Sequence, residues 1–354
     1  MGLKILHSAD WHLDSPFGGF SERQRAFLKE EQRKIPGKIA DLCTRENCDL
    51  MLLAGDLFDG IPSRETVQRV KKALESTGVP VLISPGNHDF CGPGSPWLEE
   101  TWPENVFVFT GRLESVSIAG LDCRIYGAGY RSMDCEPLLK NFRAEGTETY
   151  KIAVLHGDAV QTNSSYNPIT PAQVRASGLD YLALGHIHKA GAFRADETIC
   201  AWPGCPMGRG WDETGEKGVC IVTLGETVDV RAVSLDAVEF HELEVDIGQD
   251  AVEALEMVLP GGGGTDFYRI DLTGYGEVDL PALKKRFSAF LNLELRDQTE
   301  PPMDLWADAG EDTLEGIYFQ MLHRAMTEDP DRADTVRLAA EISRKILAGK
   351  EVIL

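Results

Sequence analysis

Five short apolar runs between residues 3 and 188 break off in the same manner. They are "LKILHSADWH" (3 to 12), "DLMLLAGDLFD" (49 to 59), "VPVLISPGNHD" (79 to 89), "YKIAVLHGD" (150 to 158) and "LDYLALGHIH" (179 to 188). Each opens with Leu, Ile and Val in the density expected of a strand buried on both faces. Each then ends in Asp, Asn or His, usually beside a glycine. Between the first two runs the pattern predicts a helix over Ser21 to Cys43, and between the next two a helix over Arg64 to Ser76. Strands alternating with helices predict an α/β sheet with crossover connections, and in such sheets functional groups gather at the carboxyl ends of the strands.

The residues collected there are Asp10, His12, Asp56, Asn87, His88, His156, His186 and His188. Carboxylate and imidazole together suit manganese, iron or zinc, whereas oxygen-only sets suit magnesium or calcium. Side chains two apart on an extended segment point the same way, so Asp10 with His12, and His186 with His188, are expected to reach one shared site. Gly55, Gly86, Gly157 and Gly185 would supply sharp turns and close backbone approach. Taken singly, each residue is as readily a turn or a hydrogen-bonded core group; five repetitions favour a metal site. His7, His241 and His323 have no such company and are expected to be structural.

Composition narrows the class. At 354 residues and 43% hydrophobic content the chain can fill a large core. The eight cysteines form no CxxC pair, which indicates neither a zinc ribbon nor a disulfide framework. A short apolar N-terminus and the absence of a transmembrane-length run predict a cytoplasmic protein with no membrane association. The net charge of −22 weighs against unaided binding to a polyanion. It is uneven, with 24 acidic and 11 basic residues from His241 onward against 33 and 24 before it.

In order, "DWH", "GDLFD", "GNHD", "HGD" and "GHIH" resemble the signatures of the calcineurin-like metallophosphoesterases. The opening "HSADWHLDSPFGG" and the later "PGCPMGRG" followed by "KG" resemble the SbcD-like and YhaO-like DNA repair exonucleases within that superfamily. The resemblance implies a four-layer α/β/β/α sandwich. Its second sheet would include the alternating, antiparallel-type runs "FVFTG", "ESVSIAGLDCRIYGAGY", "TICAWPG" and "KGVCIVTLG". It also implies two divalent metal ions, manganese first, with iron or zinc as alternatives. One would be held by Asp10, His12, Asp56 and His188, the other by Asp56, Asn87, His156 and His186. His88 would be the general acid. Asp59 would either orient His88 or cap the following helix, two readings the sequence leaves level. Arg131 and Arg209 follow Gly-rich loops and are candidates for substrate contact, whereas the basic residues near Arg23 are interspersed with glutamates, as on a solvated helix face.

Residues 1–238 thus form the expected catalytic domain. Residues 239–300 read as a small β-α-β-α-β domain, which in SbcD-like relatives caps the active site; simple packing or dimer stabilisation is the alternative. Residues 301–354 read as a linker at Pro301 and Pro302 followed by two helices. There Leu314, Ile317, Tyr318, Met321, Leu322 and Ala325 make an apolar stripe. The helices would pair with each other or serve an SMC-like ATPase subunit. The expected function is a DNA exo- or endonuclease subunit acting on DNA ends, as a homodimer. The alternatives are hydrolysis of a nucleotide or other small phosphodiester, and a non-catalytic, metal-stabilised scaffold.

Overall fold

The computed structural model describes residues 2–301 and 304–349. In chain order the elements are β1 (Leu3–Ser8), α1 (Glu22–Arg45), β2 (Leu50–Leu53), α2 (Arg64–Ser76), β3 (Val81–Ile83), α3 (Pro96–Glu99), β4 (Val106–Val108), β5 (Glu114–Ile118) and β6 (Cys123–Gly127). There follow β7 (Tyr150–His156), α4 (Pro171–Ser177), β8 (Tyr181–Gly185), β9 (Gly191–Ala195), β10 (Thr198–Trp202), β11 (Gly218–Leu224) and β12 (Val228–Ser234). The chain closes with β13 (Phe240–Asp246), α5 (Ala251–Val258), β14 (Gly264–Thr273), α6 (Leu280–Arg286), β15 (Phe290–Asp297), α7 (Leu314–Glu328) and α8 (Ala333–Leu347).

Two six-stranded sheets have the orders β12-β11-β1-β2-β3-β4 and β5-β6-β7-β8-β10-β9. Alternate side chains of the first sheet face opposite layers, as the period of a strand requires. Leu6, Met51, Leu53 and Ile83 pack with Leu28, Ile35 and Ile39 of α1 and with Val67 and Val70 of α2. Ile5, Leu50, Leu52 and Leu82 face inward and meet Ile125, Ile152, Val154 and Ala183 of the second sheet. The outer face of that sheet, with Ala153, Leu155, Leu182 and Leu184, is covered by Val174 of α4. These layers are the α/β/β/α sandwich.

The sheets divide the five ligand-bearing strands: β1, β2 and β3 lie in one, β7 and β8 in the other. The site therefore sits where two sheets meet, not along the edge of one. Two of the four runs expected in the second sheet also change place. "FVFTG" starts within β4, which pairs parallel to β3, and "KGVCIVTLG" forms β11, antiparallel to β1, both in the first sheet. In a four-layer sandwich every central strand is buried on both faces, so the apolar pattern does not say which sheet a strand joins.

The chain divides into two compact units. The first is Met1–Glu242 with Gly264–Arg269 and Phe290–Asn292; the second is Leu243–Gly263, Ile270–Ala289 and Leu293–Leu354. The strands β13, β14 and β15 form a three-stranded sheet in that order, with α5 and α6 as connections. In the second unit α7 and α8 pair around Phe319 and Ala340, both fully buried, and the Arg344 guanidinium lies 3.8 Å from the Phe319 ring centroid. Of the apolar stripe, Leu322 packs against this cluster, whereas Leu314 is 88% and Met321 67% exposed. Gly316 is buried on the same helix as Phe319, at a point where a Cβ would come within 2.4 Å of the Glu311 carbonyl oxygen. Pro302, and residues 350–354 of the expected tail, lie outside the described residues. Among the described residues no helix is long and apolar enough to cross a membrane.

Candidate metal centre

Asp10, His12, Asp56 and His186 sit in left-handed turns, whereas His156 ends β7 itself. Backbone φ is +54° at Asp10, +44° at His12, +51° at Asp56 and +95° at His186. The expected extended i, i+2 geometry is therefore not what brings Asp10 and His12 together. Such conformations cost L-residues about 1–2 kcal/mol each and persist where the surroundings over-determine them. Here the loops after β1 and β2 zip to one another. Asp10 N–H donates to Gly55 O at 3.0 Å, His12 N–H to Asp56 O and Leu13 N–H to Leu57 O at 2.9 Å, and Asp59 N–H to Leu13 O at 2.9 Å. Gly86 lets the β3 loop press onto this pair, because a Cβ there would stand 2.2 Å from Asp56 Oδ1.

Three groups of ligand atoms result, each within a 4.8 Å span: Asp10, His12 and His188; His12, Asp56 and His88; and Asp10, Asp56 and His156. Asp10, His12, Asp56, Asn87 and His156 are all at most 3% exposed. On one side His156 Nδ1 sits 2.8 Å from the Ala54 carbonyl, to which it can only donate, so Nε2 of the neutral ring carries a lone pair. That lone pair faces Asn87 Oδ1 at 3.0 Å and Asp56 Oδ2 at 3.3 Å. On the other side His188 Nδ1 lies 2.7 Å from Glu213 Oε1, which fixes its proton there and turns the Nε2 lone pair onto His12 Nε2 at 3.1 Å. His12 Nδ1 is buried without a hydrogen-bond partner, 3.8 Å from Asp59 Oδ1.

Both sides hold more buried acceptors than donors, a mismatch that only a cation relieves. On the His156 side protonation responds in the same sense, whereas on the other side burial lowers His12. Burial opposes a charge on His156, yet the Asp56 carboxylate outweighs it and lifts the ring to about 9. Burial would also raise Asp56, but His156 and His12 hold it well below the usual carboxylate range. The residues thus fit divalent cations with mixed nitrogen and oxygen preference. His186 is in none of the three groups. Its ring lies edge-on to His156 at 5.2 Å, its N–H donates to Asp10 Oδ1 at 2.9 Å, and burial with the neighbouring His156 lowers it to about 4.

His88 differs from the buried ligands: its side chain is 41% exposed, and Nδ1 lies 2.9 Å from Asp59 Oδ1. That contact raises the imidazole, while interactions with His12 and His88 hold Asp59 far below its ordinary value. Asp59 caps no helix. The α2 cap is Ser63, anchored in turn by Asp14, whose carboxylate accepts from Ser63 N–H and Thr66 Oγ at 2.8 Å. Arg209 is engaged behind His188, with Nη2 2.7 Å from Glu213 Oε1, and Arg131 is exposed.

Sequence reasoning missed Glu213, which is 6% exposed and orients His188. It lies 25 residues beyond its partner in a polar loop, where nothing in the local pattern distinguishes it. Asp89 accepts from Gly86 N–H at 2.7 Å and Leu57 N–H at 2.9 Å, so it fastens the β3 loop to the β2 loop. Burial and the nearby Asp56 charge raise it to about 7. Gln32 of α1 donates to the His12 carbonyl at 2.8 Å.

A family model described as calcineurin-like phosphoesterase matches residues 3–190. The chain belongs to that family. All of the ligand loops described above fall within the match. The chain is 33% identical over 237 residues to YhaO, an uncharacterized metallophosphoesterase of Bacillus subtilis strain 168; the match covers 62% of this chain and little more than half, 57%, of that protein. It is 22% identical over 323 residues to the SbcD component of nuclease SbcCD from Staphylococcus epidermidis, covering 80% of this chain and 82% of that one. A dimetal phosphatase from Danio rerio aligns with a TM-score of 0.45 at 12% identity, over 66% of this chain and 97% of that chain.

Proposed function

We propose that this protein is a two-metal phosphodiester hydrolase acting on DNA ends. The observation that carries the hydrolase reading is His88: a solvent-facing imidazole, oriented through Nδ1 by Asp59, beside a cluster of buried ligands to which it belongs on one side. Divalent cations held by Asp10, His12, Asp56, Asn87, His156 and His188 would neutralise charge on the phosphoryl oxygens and supply a nucleophile from water near neutral pH. The chain's own share is positional. Asp59 keeps the His88 proton on Nδ1 in the neutral ring and stabilises the imidazolium, whose Nε2–H then points outward. As the water oxygen bonds to phosphorus, the bond to the leaving oxygen breaks and that oxygen, keeping the bonding pair, takes the proton of His88 Nε2; the proton lost by water restores the ring. Glu213 and Arg209 hold His188, and Asp89 holds the loop carrying Asn87 and His88.

DNA as substrate is supported by the likeness to a nuclease component and by the sequence signatures shared with that branch. The exposed Leu314, Ile317 and Met321 on α7 support a partner helix such as an SMC-like ATPase would offer. The net charge of −22 favours the second reading, a small phosphodiester approached without polyanion attraction. Assay of linear duplex DNA and bis(4-nitrophenyl) phosphate side by side with manganese separates them. Release of nucleotides from ends is the expected result. Cleavage of the chromogenic ester alone would select the small substrate, and inertness toward both would overturn the hydrolase reading.

A further inference from the structure

Two cavities flank the site, and their chemistry is opposite. The one at His188, about 310 Å³, is rimmed by Lys189, Lys217 and Glu216. The one at His88, about 120 Å³, is lined mainly by Ile61, Phe90, Pro93 and Pro96, with Ser95 as its uncharged polar side chain. Its sole carboxylate, Asp89, is turned away onto the Gly86 and Leu57 amides. Ile61 stands 75% exposed at the rim, an uncovered aliphatic side chain beside a proton donor.

The walls of this smaller cavity are set by the backbone. Cys91 N–H donates to Tyr130 O and Gly92 N–H to Phe90 O at 2.8 Å, Ser95 N–H to Gly92 O at 3.1 Å, and Gly94 N–H to Glu99 Oε1 at 2.8 Å. Behind them Trp97 stacks between Phe58, at 5.1 Å, and Trp102, at 4.8 Å. A preformed apolar cavity of about 150 Å³ accepts a benzene-sized ring, so the volume here matches one six-membered ring held partly open to solvent.

We infer that the cavity formed by Ile61, Phe90, Pro93 and Pro96 is the leaving-group subsite and takes a single flat ring, of the size of a pyrimidine base. The inference rests on the proposed hydrolysis, in which the leaving oxygen lies at His88. The group attached to that oxygen must then lie on the His88 side, where the surface is apolar. A polyol or charged headgroup would lose most of its hydration there for the few partners that His88 and Ser95 offer, whereas a base buries its faces against Phe90 and Ile61.

The test uses the full chain with manganese and three substrates: the dinucleotide TpT and its two analogues in which one or the other base is replaced by hydrogen. Product analysis identifies the oxygen that leaves. Loss of the base on the leaving nucleoside is expected to lower kcat/KM about tenfold, and loss of the other base to matter less. In the double variant Ile61→Ser with Phe90→Ala that ratio should fall to about one, while Ile61→Val preserves it. Equal rates for TpT and the analogue, or an unchanged ratio in a double variant with wild-type thermal midpoint, would overturn the subsite. If none of the three is cleaved, the hydrolase reading is decided separately by the duplex DNA and chromogenic-ester assay, and saturation-transfer NMR with thymidine decides the cavity. Transfer to the ring protons in the wild type and its loss in the double variant supports the subsite; no transfer in the wild type refutes it.

Discussion

His7 and His156 are both completely buried, both lie on strands of the same sandwich, and they behave in opposite ways. Between the sheets, His7 has a partner of each kind available: Nε2 is 3.0 Å from the Leu184 carbonyl and Nδ1 is 2.8 Å from the Tyr181 hydroxyl, which can donate. A neutral ring satisfies both, and burial lowers it to about 3. At the sheet ends, His156 finds only acceptors, and it is raised to about 9. Burial is common to both; the count of donors and acceptors decides. The core is made to exclude charge, and the strand ends are made to need a positive one.

Asp56→Ala removes the charge shared by both sides and should break the contrast most completely. Metal affinity should fall beyond the roughly 10–100-fold that loss of an outer partner costs, and turnover with it, which calorimetric titration and phosphodiester assay would record. His88→Ala should retain metal and lose about 10²–10⁴ in kcat, so equal metal content with wild-type turnover would remove His88 from the chemistry. Glu213→Gln gives up the carboxylate that fixes His188, and about 10–100-fold weaker metal binding is expected. Unaltered binding would make the Glu213–His188 contact merely structural.

The smallest change belongs to the core. His7→Leu leaves the Tyr181 hydroxyl and Leu184 carbonyl without their partner and should cost about 1–3 kcal/mol in urea unfolding while metal uptake stays intact. Because folding lowers His7 from 6.5 to about 3, its contribution is full above pH 6.5 and is lost as pH falls toward 3. That loss runs at up to about 1.4 kcal/mol per pH unit. The wild type should therefore lose more stability than His7→Leu between pH 6.5 and 4, and parallel losses would contradict the account of His7.

Much of this was legible in the chain. Apolar runs ending in Asp, Asn or His located the ligand-bearing loops, because burial and ligation impose residue types that are visible locally. The helices 22–45 and 64–76 emerged for the same reason. What stayed hidden depends on long-range geometry. Strand membership of either sheet has no local signature when every central strand is apolar on both faces, hence the misplacement of β11; β4, three residues long at the sheet's edge, is too short to carry a pattern of its own. The left-handed turns at Asp10 and His12 follow from cross-loop hydrogen bonds with residues 55–57, which no spacing rule encodes. Glu213 is one acidic residue among many until folding brings it to His188. In α7 the apolar stripe splits: Leu322 packs beside Phe319, which the stripe did not include, while Leu314 and Met321 stay exposed.

The central claim is a surplus of buried acceptors that calls for cations around Asp56. Titration of the metal-free protein with manganese, followed by calorimetry, tests it directly. The account predicts two ions bound per wild-type chain, with uptake abolished in Asp56→Ala and preserved in His7→Leu. No uptake by the wild type, or uptake indifferent to Asp56, would contradict it.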